Sequence, residues 1–226
     1  MLTIFAILIA STAFAGPIID IQTGLYPENT LVTVSNAVVT GVHYNGIFVS
    51  EDPNAPFAGI WVYTGTTPVA LVGDLVDVVG VYVEYYDFSE IDVTADPSGL
   101  VTVTGIHNGA IYPMMVTTAD LAADGEPYES CLITITDGMT VTSTPSSYGE
   151  WTVTSYEYPG TELIMDDYWY DETTVQMGDC YNCASGILIY GFGAFKLEPI
   201  EDAICVTDCT VGTENLNLNQ IKSLYR

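Results

Sequence analysis

Positive charge is nearly missing from this chain. Of 226 residues only Lys196, Lys222 and Arg226 are basic, against 29 acidic ones, for a net charge of −26. Phosphate backbones are held by Lys and Arg, so nucleic acid is excluded as a partner. An anionic membrane surface is disfavoured for the same reason. Charge of either sign is sparse: 14% of residues are charged, against roughly 25% in an average soluble protein. Catalytic signatures are missing too. No G-x-S-x-G, H-E-x-x-H or P-loop occurs, and each is the pattern that its chemistry needs. His43 and His107 stand apart, with no Cys or Ser in a recognisable pattern beside them. Lone histidines of this kind are more often loop or core residues than catalysts. The chain is expected not to be an enzyme.

Long apolar runs are also lacking. The run over residues 1–10 is too short to span a bilayer. Ala13-Phe14-Ala15 follows it, a small-x-small box before Gly16. This reads as a secretory signal peptide over residues 1–15, although no Lys or Arg stands in its first part. The rival reading is a retained apolar strand. The mature chain would then carry no membrane span and would lie outside the cell or on its surface.

What the chain has is β-prone. Gly and Pro are frequent, and 16 residues are Tyr. Val, Ile, Thr and Tyr in short alternating runs favour strands over helices. One pattern occurs twice. Val72-Gly73-Asp74 opens a strand through Gly80 to Glu84-Tyr85-Tyr86, and Met177-Gly178-Asp179 opens one through Gly186 to Phe192. A glycine inside such a strand marks a bulge or a close approach of backbone. The strands before each turn match as well. Leu31-Val32-Thr33-Val34 answers Leu132-Ile133-Thr134-Ile135, Gly46-Ile47-Phe48-Val49 answers Gly149-Glu150-Trp151-Thr152-Val153, and Gly59-Ile60-Trp61-Val62-Tyr63 answers Thr161 to Asp166. A duplication of this length predicts two domains in series. Residues 112–122 read as a linker with a short helical turn. Leu218, Ile221 and Leu224 recur at helical spacing near the end, which predicts a short C-terminal helix.

These motifs, Gly46-Ile47-Phe48-Val49, Gly59-Ile60-Trp61-Val62-Tyr63, Val72-Gly73-Asp74, Gly80 and Glu84-Tyr85 with their counterparts Gly178-Asp179, Gly186 and Phe195-Lys196-Leu197-Glu198-Pro199, resemble the tandem OB-fold-like domains of secreted bacterial proteins. Such domains often stand beside extracellular nucleases or phosphoesterases. The resemblance implies an all-β chain of two tandem five-stranded OB-fold-like barrels. The expected division is 1–15 signal peptide, 16–24 N-terminal strand or leader, 25–105 first barrel, 106–205 second barrel, and 206–226 tail with a short helix. Each barrel is expected to fold on its own core.

Several residue groups are candidates for chemistry. Cys180, Cys183, Cys205 and Cys209, with Cys131 left over, suit disulfides in an exported protein, their pairing open. The two pairs could instead hold zinc as four thiolates. Glu162, Asp166, Asp167 and Asp171 crowd acidic side chains near Tyr168, Trp169 and Tyr170. Calcium is the cofactor such carboxylates would take, and a solvated acidic loop is the alternative. Tyr168, Trp169 and Tyr170 could stack on sugar rings. Ile18, Ile19 and Ile21 form a β-prone run that could add to a sheet edge of a second copy, or fold back on its own barrel.

The expected function is that of a non-catalytic extracellular structural protein, self-associating on the cell surface as a filament or layer subunit. Low charge density and many tyrosines suit an association surface. The alternatives are a secreted module binding carbohydrate or another ligand, with glycans as partners, and an accessory domain of a secreted hydrolase.

Overall fold

The computed structural model describes residues 14–15, 17–168 and 174–207. Residues 1–13 of the predicted signal segment 1–15, Trp169, Tyr170, Asp171, Cys209 and the predicted C-terminal helix lie outside them. Strands dominate, and they close two five-stranded barrels in series, as expected. Among the described residues no helix is long and apolar enough to cross a membrane.

The first unit runs β1 (Phe14–Ala15), α1 (Ile18–Gln22), β2 (Leu31–His43), β3 (Gly46–Ser50), β4 (Gly59–Tyr63), β5 (Asp74–Glu84), β6 (Ser89–Asp92) and β7 (Leu100–Ile106). The order β2-β3-β4-β6-β5 closes through a β2–β5 pairing. All neighbours in this ring are antiparallel except β4 and β6. The second unit runs β8 (Met114–Val116), α2 (Thr118–Ala123), a 3-10 turn (Glu126–Tyr128), β9 (Leu132–Ile135), β10 (Met139–Val141), β11 (Trp151–Ser155), β12 (Glu162–Met165), β13 (Cys180–Gly191) and β14 (Ala194–Thr207). Here β9 and β10 together take the place of β2, and β12 and β14 form the parallel pair. Asp137 causes the break between β9 and β10. Its buried carboxylate turns away to accept the Thr118 N–H at 2.8 Å and the Thr118 hydroxyl at 2.6 Å.

The duplication is visible atom by atom at the Gly-Asp turns. Gly73 and Gly178 have φ of 92° and 93°, a conformation that favours glycine. Each donates its N–H to the opposite strand, to Val39 and Val141, at 2.9 Å. Asp74 and Asp179 then reach back, accepting the Leu71 and Gln176 N–H at 2.8 Å. Gly186 needs its missing side chain for another reason. A Cβ there would meet the Glu198 carbonyl oxygen at 2.1 Å.

Two expectations are corrected. The run Ile18-Ile19-Asp20-Ile21 is helical, not an extended strand. Pro17 precedes it with its φ preset at −63°. A helical turn sends Ile18 and Ile21, three residues apart, into the core of their own barrel, where both are fully buried. Each burial contributes about 1.5–3 kcal/mol. Ile19 is left outside. The expected linker is also more than a connection, because β8 pairs parallel with β9 in register Met114 to Ile133. Strand β1 pairs the same way with β2, so both units begin with a parallel strand and a short helix.

The two barrel cores are separate clusters. One is centred on Ile47, Ile60, Val76 and Ile91, the other on Ile133, Met139, Trp151 and Leu188. A third cluster, Phe48, Trp61, Leu132 and Ile187, joins them. Hydrogen bonds cross the same seam: the Phe57 N–H donates to the Pro127 carbonyl at 2.7 Å, and the Ser89 N–H to the Glu129 side chain at 3.0 Å. Cys183 and Cys205 form a disulfide between β13 and the end of β14, with Cα atoms 5.0 Å apart. Closing such a loop contributes about 3 kcal/mol. It also uses two of the four thiolates that a zinc site would need, so that alternative is set aside. Cys131 is the free, buried thiol; burial raises it to about 11, which keeps it protonated and unreactive.

Candidate functional site

Of the acidic residues singled out for calcium, Glu162, Asp166 and Asp167 are described. Asp166 is buried and lies 3.5 Å from Lys196, whose ammonium also pairs with Glu150. Burial still holds the Asp166 carboxyl above its ordinary range. Glu162 is exposed on β12. The Asp167 side chain packs over Gly149. Asp171 lies outside the described residues, and among those described no three His, Cys, Asp or Glu side chains are placed to hold a metal. Of the three aromatic residues expected to stack on sugars, Tyr168 is described: it is exposed and its hydroxyl donates to that of Tyr44 at 3.3 Å.

Tyr168 instead borders a pocket at the seam. The cavity, about 170 Å³, is lined by His43, Asn45, Phe48, Trp61 and Phe88 from the first barrel and by Tyr168, Ile189 and Glu198 from the second. The strand ends put them there. His43 ends β2, Asn45 is in the turn after it, and Glu198 lies on β14, antiparallel to Ile187. The His43 ring bonds Asn45 at 2.9 Å and faces Tyr168 at 4.6 Å between centroids. Burial lowers its pKa, so it is neutral at pH 7.

Three carboxyls are buried along the seam side of the barrels: Glu90, Glu129 and Glu198. Burial raises them to about 7, about 8 and about 9 respectively. Glu129 accepts one bond from Ser89 through Oε1, and its Oε2 has no partner. Both oxygens of Glu198 lack a hydrogen bond. The Tyr168 N–H favours its charged form without reaching hydrogen-bond geometry. None of these acids was a candidate site residue in the sequence, although Glu198 stands in the motif Phe195-Lys196-Leu197-Glu198-Pro199.

A second, larger cleft of about 690 Å³ opens between two hairpin tips, 85–88 and 190–193. The tips are equivalent in the duplication: one joins β5 to β6, the other β13 to β14. Each is a two-residue turn. At the first, the Tyr85 and Phe88 backbones exchange bonds of 2.9 and 3.2 Å around Tyr86 and Asp87. Tyr86, Asp87, Phe192 and Gly193 all have positive φ, 54°, 65°, 55° and 86°. Turns of this type prefer Asn-Gly. An aromatic residue held there costs about 1–3 kcal/mol. The result is outward display: Tyr85, Tyr86 and Phe192 are exposed, Phe192 completely.

The third feature is an edge. Strand β7 pairs with β5 on one side. Among the described residues no strand pairs with its other side. Its sequence, Leu100-Val101-Thr102-Val103-Thr104-Gly105-Ile106, has no charge, and Leu100, Val103 and Ile106 are exposed. The counterpart in the second barrel is the end of β14, stapled by Cys183–Cys205. No protein-family model and no curated protein matches the chain.

Proposed function

We propose that this protein is a non-catalytic subunit of an extracellular assembly, joined copy to copy along the outer edge of β7. The observation that carries the reading is that seven-residue edge, uncharged and apolar on a chain of net charge −26. Like charges repel over about a Debye length, ~10 Å at 0.1 M salt. Copies therefore approach where charge is missing. An unpaired strand offers its N–H and C=O groups to another strand, which supplies affinity without side-chain chemistry. The barrels that present it are read as OB-like from the closure order and the parallel β4–β6 and β12–β14 pairs. Export follows from the apolar N-terminal run and suits the disulfide. Val103→Lys places a charge on the edge. In sedimentation velocity the wild-type chain is expected to form species larger than the monomer as concentration rises, and the variant to remain monomeric with an unchanged circular-dichroism spectrum. A variant that assembles like the wild type would remove β7 from the account.

The aromatic cleft favours a second reading, a module that binds a neutral glycan. Sugar rings stack on exposed aromatic faces, and the Lys196 ammonium, 5.2 Å from the centre of the Phe192 ring, is already paired with Glu150 and Asp166. Phe192→Ala is expected to abolish glycan-array signals that the wild type gives. A wild type with no signal would end this reading.

A further inference from the structure

We propose that the seam pocket is a binding site for a small organic cation, an ammonium group carrying short alkyl substituents, with Glu198 as its counter-ion. The cavity is lined by a carboxyl, that of Glu198, which is fully buried and has no hydrogen-bond partner on either oxygen. A buried carboxyl in that state carries a cost that a partner would remove. Lys196, two residues before it on β14, does not serve, because Glu150 and Asp166 engage it.

The walls select the kind of partner. Phe48 and Trp61 are buried and stand 4.5 Å apart between ring centroids, and Tyr168 and Phe88 complete an aromatic enclosure. Aromatic faces attract cations, most strongly when water is excluded, and cages of this composition suit ammonium groups with alkyl substituents. A bare metal ion fits poorly. Calcium takes 6–8 oxygen ligands, whereas the described residues of the lining offer one carboxylate, one amide side chain, Asn45, and the Tyr168 hydroxyl. Its volume of about 170 Å³ far exceeds the ~10–15 Å³ that a single water needs, so there is room for several heavy atoms. An anion is opposed by the net charge of the chain, −26. His43 is neutral at pH 7 and does not repel a cation. With the site empty, burial keeps Glu198 protonated up to about pH 9; an entering ammonium supplies the positive charge that lets it ionise.

Isothermal titration calorimetry of the full chain with choline, and with its uncharged carbon analogue 3,3-dimethylbutanol, tests the site. The two ligands have the same shape and differ in charge. Choline is expected to bind saturably at one site and the alcohol more than about tenfold more weakly, as a cation–aromatic and ion-pair contribution of this kind requires. Glu198→Gln keeps the shape of the side chain and is expected to lose choline binding by a similar factor while leaving the weak binding of the alcohol alone. Equal affinity for the two ligands, no choline binding to the wild type, or undiminished binding to Glu198→Gln would each overturn the proposal. The comparison of the two ligands on the wild-type chain decides the matter even if the variant does not fold.

Discussion

Stability is expected to fall as pH rises from about 4.5 to about 9, the reverse of ordinary acid denaturation. Glu90, Glu129 and Glu198 hold their protons up to about pH 7, 8 and 9 in the fold, against an ordinary value of 4.5. Burial is the first cause for all three. Between the two values the folded chain binds more protons than the unfolded chain, so raising the pH favours unfolding. The contribution is fully present below pH 4.5 and is lost as pH climbs through the folded values. Each group changes stability by about 1.4 kcal/mol per pH unit over its window. Three together are comparable in size to the ~5–15 kcal/mol that holds a typical domain. Loss of negative charge at low pH acts in the same direction on a chain of −26. Melting temperature measured from pH 5 to pH 9 should therefore decline steadily, and Glu129→Gln with Glu198→Gln should flatten the decline. A melting temperature that is level or rises over that range would show that these carboxyls are ionised in the fold.

Ile187→Ala is expected to cost about 2–5 kcal/mol, the range for removing a fully buried aliphatic side chain. Ile187 is completely buried, but not in the core of its own barrel. It packs against Phe48, Trp61 and Leu132, and its Cδ1 lies 2.6 Å from where a Cβ on Gly41 would stand. The cavity left by the alanine opens in the seam. Wild-type protein is expected to unfold in urea as one transition, since the seam couples the two cores. The variant is expected to lose stability and to begin separating into two transitions, one for each barrel. A loss below about 1 kcal/mol, the level of an ordinary surface change, would mean that the barrels are independent and the seam is only a contact.

The barrels were legible because strands and turns are local. Apolar residues alternate along Leu31 to Val34 and along β5, and the glycines at 73 and 178 occupy backbone conformations that other residues adopt at a cost. The N-terminal isoleucines misled for a related reason. Their β-branched side chains favour strands, yet Ile-Ile-Asp-Ile has an apolar pair three residues apart as well as one two apart. Only the barrel beside it decides that Ile18 and Ile21 face inward together. The buried acids were illegible because alternation assumes one wet face. Leu197 and Glu198 are adjacent on β14 and both are fully buried, one against the barrel core and the other against the seam. Two faces are dry there because a second barrel covers the outside, and that is a property of how the repeats meet. Strand β7 could be read as a strand, but its free edge could not, since pairing is decided by distant residues.

Backbone amide exchange along Leu100–Ile106, compared between dilute and concentrated protein, tests copy-to-copy pairing most directly. In dilute protein the N–H groups on the outer side of β7 should exchange rapidly, because no strand covers them among the described residues. In concentrated protein they should become protected at alternate residues, as strand pairing requires, while the amides of β3 and β4 stay as they were. Exchange in β7 that is the same at both concentrations, while larger species form, would contradict assembly through this edge.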